Sequence, residues 1–140
     1  MIQQSTTHPY ANVRIASPAD LASIRAVATQ TWHATYASIL KASTIDTFLK
    51  RAYSDYSLLV TLNSGGLWLL EQDGEVVGYM RLSMQDEVGF LGAIYVLPKD
   101  QGKGHGRRLW ECAEAWFAAR GAREVRLTVA QANRSARDFY

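Results

Sequence analysis

Three glycines alternate with polar residues in the segment 101–106, which reads Gln-Gly-Lys-Gly-His-Gly. An apolar run at 90–97 precedes this segment, and apolar residues at helical spacing follow it from Leu109 onward. A glycine loop that opens a helix directs several backbone N–H groups to one point, with the positive end of the helix dipole behind them. Glycine also lets a ligand approach the backbone closely. The segment therefore predicts a site for a phosphate or pyrophosphate group.

The spacing of the glycines excludes two common phosphate loops. The P-loop pattern G-x-x-x-x-G-K-[ST] does not occur in the chain. The dinucleotide pattern G-x-G-x-x-G fails because Arg107 stands where its last glycine should be. That pattern would also need a complete βαβ unit and an acidic residue downstream, and the segment lies too late in the chain for both.

The spacing Gln-x-x-Gly-x-Gly resembles the acyl-CoA loop of the GCN5-related N-acetyltransferase superfamily. Residues 94–98, Ile-Tyr-Val-Leu-Pro, resemble the fourth strand of that family. Residues 31–36 and 39–40 look like its first helical region. The resemblance covers residues 13–140, and its downstream part rests on Val129, Asn133, Ala136, Phe139 and Tyr140, which look like the fifth strand and the following helix.

The resemblance implies acetyl-CoA as acyl donor. The N–H groups of the loop would hold the pyrophosphate, with Lys103, Arg107 and Arg108 adding positive charge and His105 acting as a backbone donor. The fourth strand would bind the pantetheine arm through its backbone, because the family separates its fourth and fifth strands there. The residues implied for acetyl-CoA binding are Ile94, Tyr95, Val96, Gln101, Gly102, Lys103, Gly104, His105, Gly106, Arg107 and Asn133. A helix cap is the alternative role for Asn133.

Tyr140 is the residue that the resemblance implies as general acid. The sulfur of coenzyme A needs a proton or a hydrogen bond as it leaves, and a phenol stays protonated near neutral pH. The general base is less defined. Family members that acetylate protein N-termini often carry a glutamate where this chain has Thr128. Glu87, Glu71 and Tyr95 remain as candidate bases, and Glu87 is the one expected.

Trp32, His33 and Tyr36 lie in the region that lines the acceptor pocket of the resembled family. Trp32 and Tyr36 are one helical turn apart, so they share a face. An aromatic wall would suit a cationic amine. Packing in the core is the alternative role for this face.

Composition limits the class of protein. A chain of 140 residues with 48% apolar and 20% charged residues fits one soluble domain. A net charge of +2 does not favour nucleic acid as a partner. The single cysteine, Cys112, excludes an internal disulfide and a cysteine metal cluster, and no metal is expected. No apolar run is long enough for a membrane span, so a membrane is not expected as a partner and a cytoplasmic protein is expected.

The order of elements predicts a mixed α/β sheet. A strand near Val13 is followed by two helices, which begin at Ser17 and near Thr44. Three antiparallel strands follow, with turns at 73–74 and 85–87, and then the loop helix up to Gly121. The last elements are a parallel strand at 124–129 and a helix from Asn133.

This order matches an acyl-CoA N-acyltransferase fold that is mostly antiparallel, with a splayed pair of parallel strands. The expected organisation is a flexible arm at 1–12 and one acetyltransferase domain at 13–140, without the family's last two strands. A homodimer could then cover the exposed strand edge.

Two functional classes remain open at this level. The first is an acetyl-CoA-dependent N-acetyltransferase in which a primary amine attacks the donor directly, without a metal or a covalent enzyme intermediate. The acceptor amine could belong to a small molecule or a peptide. The second is a coenzyme A-binding sensor or interaction domain without turnover.

Overall fold

The computed structural model describes residues 12–127, and these form a five-stranded sheet with four α-helices and two short 3₁₀ turns. The strands are β1 Asn12–Ile15, β2 Leu67–Gln72, β3 Glu75–Gln85, β4 Val88–Val96 and β5 Glu124–Leu127. The helices are α1 Leu21–Tyr36, α2 Ala42–Ala52, α3 Asp55–Asn63 and α4 His105–Ala119, and the 3₁₀ turns are Pro18–Asp20 and Pro98–Asp100.

The sheet order is β1-β2-β3-β4-β5. The first three pairs are antiparallel, and β4 and β5 are parallel, so the predicted mixed sheet is confirmed. The described pairing of β4 with β5 ends at Leu91 and Leu127. The splay predicted beyond this point lies outside the described residues.

Two tight turns set the register of the antiparallel strands. Asp73 and Gly74 both have positive φ, 53° and 83°, as a two-residue hairpin turn requires. Asp86, with φ 54°, turns the chain between β3 and β4. Both turns lie where the sequence predicts them, because the turn residues determine the backbone locally.

The first helix starts as the Ser17-Pro18 pair predicts. The Asp20 carboxylate accepts a hydrogen bond from the Ser17 backbone at 2.8 Å, and Pro18 needs no such partner. Arg14 on β1 binds both Asp20 and Glu71, at 2.8 and 2.9 Å. This three-residue cluster joins the first strand, the first helix and β2.

The structure differs from the prediction in two elements. The sequence predicts two helices before β2, but a third, α3, follows α2 and is capped by Ser54, whose hydroxyl accepts from the Ser57 backbone at 3.2 Å. Apolar residues lie on more than one side of α3, so its sequence lacks a clear amphipathic period. In addition, β1 includes Asn12, which the prediction assigned to the arm.

The sheet separates α4 from the junction of α2 and α3. Gly78 and Tyr79 are neighbours on β3, so their side-chain positions point to opposite faces. A Cβ at Gly78 would lie 3.6 Å from Leu109 of α4, whereas the Tyr79 ring packs against Tyr53, directly after α2. The core fills both interfaces and includes fully buried Leu69, Met80 and Leu109.

Candidate functional site

The glycine loop connects the end of β4 to the start of α4, as predicted. Gly102 and Gly104 have φ of +81° and +83°, which side chains other than glycine rarely adopt. Gly104 is the residue that precedes the first turn of α4. These two left-handed residues lie in the connection that leads from the end of β4 into α4.

The backbone N–H groups of the loop, from Gly102 onward, have no partner among the described residues. In the described part of the chain, the N–H groups of residues 102–107 form no hydrogen bond of normal geometry with the protein, and the first helical bond runs from Arg108 to the Gly104 carbonyl at 3.2 Å. A Cβ placed on Gly102 or Gly104 would meet no heavy atom within 4 Å. The loop therefore fits an anionic group such as a pyrophosphate.

Side chains hold the loop in this form. The Gln101 amide donates to the Val96 carbonyl at 3.0 Å and so ties the loop to the end of β4. Lys103 pairs with Asp100 at 3.2 Å, and Asp100 is buried. The side chain of Arg107 is exposed at the first turn of α4. Gln101 and Lys103 thus have structural contacts in addition to their expected role in ligand binding.

His105 makes a contact that the sequence does not reveal. Its side chain is buried, and its Nε2 lies 2.9 Å from the Gln72 amide oxygen at the end of β2. Because this oxygen can only accept, Nε2 must carry the hydrogen. Burial lowers the pKa of His105, so the ring is neutral near pH 7. His105 therefore links the loop to β2 through its side chain.

The residues expected to bind the pantetheine arm lie on β4 directly before the loop. Ile94, Tyr95 and Val96 pair with Met80, Tyr79 and Gly78 of β3. Gly106 follows in the first turn of α4, so these expected contacts form a continuous path from the strand through the loop to the helix.

A bulge interrupts β4 next to these residues. Arg81 pairs with Ala93 and Leu82 pairs with Leu91, so Gly92 has no partner on β3. A bulge leaves backbone groups outside the ladder and bends the strand. Gly92 is exposed and lies at a surface cavity.

This cavity has a volume of about 310 Å³ and lies between β3, β4 and the first helices. Trp32 packs against Phe48 with ring centroids 4.3 Å apart, and the ring of Tyr95 lies 6.5 Å from Trp32. Arg81 and Tyr53 complete the wall on the side of α2 and α3. The cavity therefore shares Tyr95 with the strand segment that leads into the glycine loop.

The three residues expected at the acceptor pocket have different positions. Trp32 lines the cavity. Tyr36 is buried in the core beside it, with ring centroids 4.5 Å apart. His33 lies at the surface, with its Nε2 2.8 Å from the Asp46 carboxylate. Tyr36 thus has the packing role, and the acceptor-pocket role of Trp32 and His33 stays a prediction.

The candidate bases are also dispersed. Glu87 lies before the first residue of β4, at the opposite end from the loop, and its exposed carboxylate is 3.3 Å from Arg123. The structure does not bring Glu87 to the loop or to the cavity. Glu71 is bound by Arg14, and Tyr95 is the candidate that lines the cavity. Thr128, Asn133 and Tyr140 lie outside the described residues.

Arg81 and Tyr53 are cavity residues that the sequence analysis does not identify. A usable signal exists for Arg81, because it is two residues from the fully buried Tyr79 and so shares its face of β3. An arginine at a position where strand alternation predicts burial indicates a site or a structural bond. No comparable signal exists for Tyr53, which lies between two helices.

In the described part of the chain, no group of three or more His, Cys, Asp or Glu side chains is arranged to hold a metal ion. No helix within residues 12–127 is long and apolar enough to cross a membrane.

Comparison with known proteins places these features in a family. The Acetyltransferase (GNAT) family profile matches residues 29–140. An uncharacterized N-acetyltransferase of Archaeoglobus fulgidus is 30% identical over 99 residues, which cover 65% of this chain and 67% of the relative. The chain belongs to the GNAT family, and it is an acyltransferase.

Solved structures give the same result at the level of the fold. The PaiA N-acetyltransferase of Thermoplasma acidophilum, in complex with coenzyme A, is 26% identical with a TM-score of 0.88, covering 94% of this chain and 86% of that chain. A GNAT family acetyltransferase of Brucella melitensis, in complex with acetyl-CoA, is 22% identical with a TM-score of 0.63, covering 91% and 82%.

Proposed function

We propose that this chain transfers an acetyl group from acetyl-CoA to a primary amine by direct attack, and that the acceptor enters the cavity beside β4. The observation that carries the proposal is the continuity of the site. One strand segment, 94–96, ends in a loop with free N–H donors and also contributes Tyr95 to the cavity wall. Acetyl-CoA supplies an acyl thioester when it is bound.

The loop would bind and orient the donor. The N–H groups of residues 102–107 and the dipole of α4 stabilise phosphate charge, and Lys103, Arg107 and Arg108 add positive side chains near them. The backbone of Ile94, Tyr95 and Val96 would extend this binding along β4 as an added strand does. Asn133 would contribute a further contact to the arm.

The acceptor would react as a neutral amine, because an ammonium has no lone pair. Among the described residues, no carboxylate lines the cavity, and Glu87 lies at the far end of β4. We therefore assign the loss of the amine proton to solvent, and Tyr95 is the candidate base that lines the cavity. Tyr140 would give its proton to the departing sulfur.

The test is turnover of the wild-type protein and of Tyr140→Phe, with release of free thiol as the readout. The mutant should show a single-turnover rate lowered by about a hundredfold, with acetyl-CoA affinity changed little, because the hydroxyl acts as the sulfur leaves. Tyr56→Phe is the matched control, since Tyr56 is exposed on α3. A wild-type rate in Tyr140→Phe removes this tyrosine from the mechanism.

The same experiment tests the second class that the sequence left open, a coenzyme A-binding domain without turnover. Such a domain would bind acetyl-CoA with normal affinity and release no thiol with any amine. Membership in an acyltransferase family favours the enzyme.

A further inference from the structure

The acceptor cavity contains a single charged side chain among the described residues that line it, the guanidinium of Arg81. Its other walls are aromatic, aliphatic or hydroxyl-bearing. A half-buried cation in a cavity without an anion is unfavourable unless other groups compensate it. The positive charge of Arg81 therefore affects which acceptor can bind in the cavity.

Other half-buried arginines of the described chain have carboxylate partners. Arg14 binds Asp20 and Glu71, and Arg25 binds Asp55. Within residues 12–127, no carboxylate lies at ion-pair distance from Arg81. This difference separates Arg81 from arginines whose charge is neutralised by the fold.

Neutral oxygens hold the Arg81 guanidinium in place. Nη1 donates to the Ala52 carbonyl at 2.8 Å, and Nη2 donates to the hydroxyls of Ser57 and Thr61, both at 3.0 Å. The guanidinium also lies over the Tyr53 ring, 5.0 Å from its centroid. These contacts fix the orientation of the group and leave its full positive charge at the cavity.

A fixed guanidinium attracts a carboxylate through its positive charge, although both hydrogens of Nη2 are already donated to Ser57 and Thr61 and no pair of parallel donors is left free. The position of Arg81 is also suitable. Arg81 on β3 pairs with Ala93, which lies next to the Gly92 bulge on β4. The strand β4 is the one that leads into the glycine loop. An anion bound here would leave the rest of the acceptor beside β4.

We propose that the acceptor is a small amine that also carries a carboxylate, and that Arg81 binds this carboxylate and so determines acceptor specificity. The inference rests on the proposed function and names the substrate class of the same site. A diamine is disfavoured, because its second ammonium would meet Arg81 and no described carboxylate. The aromatic rings of Trp32 and Phe48 would contact the carbon chain of the acceptor.

The test compares acceptors that share a chain and differ in one end group. γ-Aminobutyrate, butylamine and diaminobutane have a carboxylate, a methyl group and a second amine at the same end. Leucine and isopentylamine form a second pair with the carboxylate next to the amine. We expect kcat/KM to be highest for the carboxylate member of each set, by about tenfold, and lowest for the diamine.

Arg81→Gln should remove this preference. The mutation also removes hydrogen bonds that join α2 and α3 to the sheet, so the mutant will be less stable and part of it will be unfolded. The ratio of kcat/KM for two acceptors with the same preparation cancels any loss of folded enzyme. Arg25→Gln is the matched control, because Arg25 binds the neighbouring Tyr53 carbonyl at 2.9 Å and does not line this cavity. It should keep the wild-type ratio.

Two measurements cover the case in which Arg81→Gln does not fold. Arg81→Lys keeps the charge and loses part of the hydrogen bonding that fixes its position, and should retain part of the preference. In the wild type, butyrate should inhibit competitively against the acceptor, whereas butanol should not. A preference for butylamine or diaminobutane, an unchanged ratio in Arg81→Gln, or no inhibition by butyrate would overturn the inference.

The outcome also separates this inference from the proposed function. If no amine releases thiol from acetyl-CoA, the proposed function fails and the specificity question does not arise. If amines are acetylated without preference for the carboxylate, the proposed function stands and the assignment to Arg81 is wrong.

Discussion

At the scale of single residues, the proposed role of a loop glycine in ligand binding can be tested separately from its role in turn geometry. Gly104 and Gly74 have the same φ of +83°, and a Cβ on either would meet no heavy atom within 4 Å. Gly104 precedes α4 at the proposed phosphate site, whereas Gly74 lies in the hairpin turn between β2 and β3. Gly104 and Gly74 therefore have the same backbone conformation, but only Gly104 lies at the proposed phosphate site.

Gly104→Ala should weaken acetyl-CoA binding by about tenfold or more, because its Cβ would occupy the space that the donor approaches. Both Gly104→Ala and Gly74→Ala should lose about 1 kcal/mol of stability, since alanine is strained at positive φ. Calorimetric titration with acetyl-CoA and urea unfolding measure the two effects. Equal affinity in the two mutants means that the loop is only a connector.

Contacts between residues that are far apart in the chain could not be predicted from the sequence. The glycine spacing was informative because the loop is local in sequence. The bond from His105 to Gln72 and the enclosure of Arg81 by Tyr53 and Thr61 join residues that are far apart in the chain. Glu87 has the correct chemistry for a base, but its register position, before β4 begins, places it away from the cavity.

At the scale of elements, prediction worked where local chemistry determines the backbone. The turns at Asp73 and Asp86, the start of α1 and the end of α4 before Gly121 all have local signals. The helix α3 was missed because its apolar residues do not follow one face, although Ser54 provides a cap. The cavity between α2, α3 and the sheet depends on that missed helix.

The cluster that joins β1, α1 and β2 predicts a dependence of stability on pH. The Arg14 guanidinium holds the pKa of the Asp20 carboxyl well below its usual range, by hydrogen bonding and despite partial burial. The unfolded chain therefore takes up a proton on Asp20 before the folded protein does. The stabilisation is complete above the unfolded pKa, about 4, and is lost as the pH falls further.

Asp20→Asn should thus lower the free energy of unfolding by about 1–2 kcal/mol at neutral pH, and by less as the solution is acidified. Urea unfolding of wild type and mutant across this range measures the difference. Asp55→Asn is the control, because Asp55 also pairs with an arginine but is mostly exposed, so little change is expected. If the free energies of unfolding of wild type and Asp20→Asn differ by the same amount at all pH values, Asp20 is not the source of the pH dependence.

At the scale of the whole molecule, the proposed donor and acceptor sites share one strand. The glycine loop connects the end of β4 to the start of α4, and the cavity lies on the neighbouring part of β4, with α4 on one face of the sheet and the α2–α3 junction on the other. Family membership fixes the class of reaction, and the loop predicts where the donor binds. In the proposed function the cavity determines which acceptor binds, and the sequence indicates this cavity only in part, through Trp32.

The most direct test of this account is the stability of the protein with and without acetyl-CoA. A ligand that binds only the folded state stabilises it, by about 3 kcal/mol at a hundredfold excess over Kd, which corresponds to a rise in Tm of about 10 °C for a chain of this size. We predict such a rise with acetyl-CoA, a smaller one in Gly104→Ala, and none with NADH or ATP at the same concentration. A response to NADH or ATP without a response to acetyl-CoA would contradict the central claim.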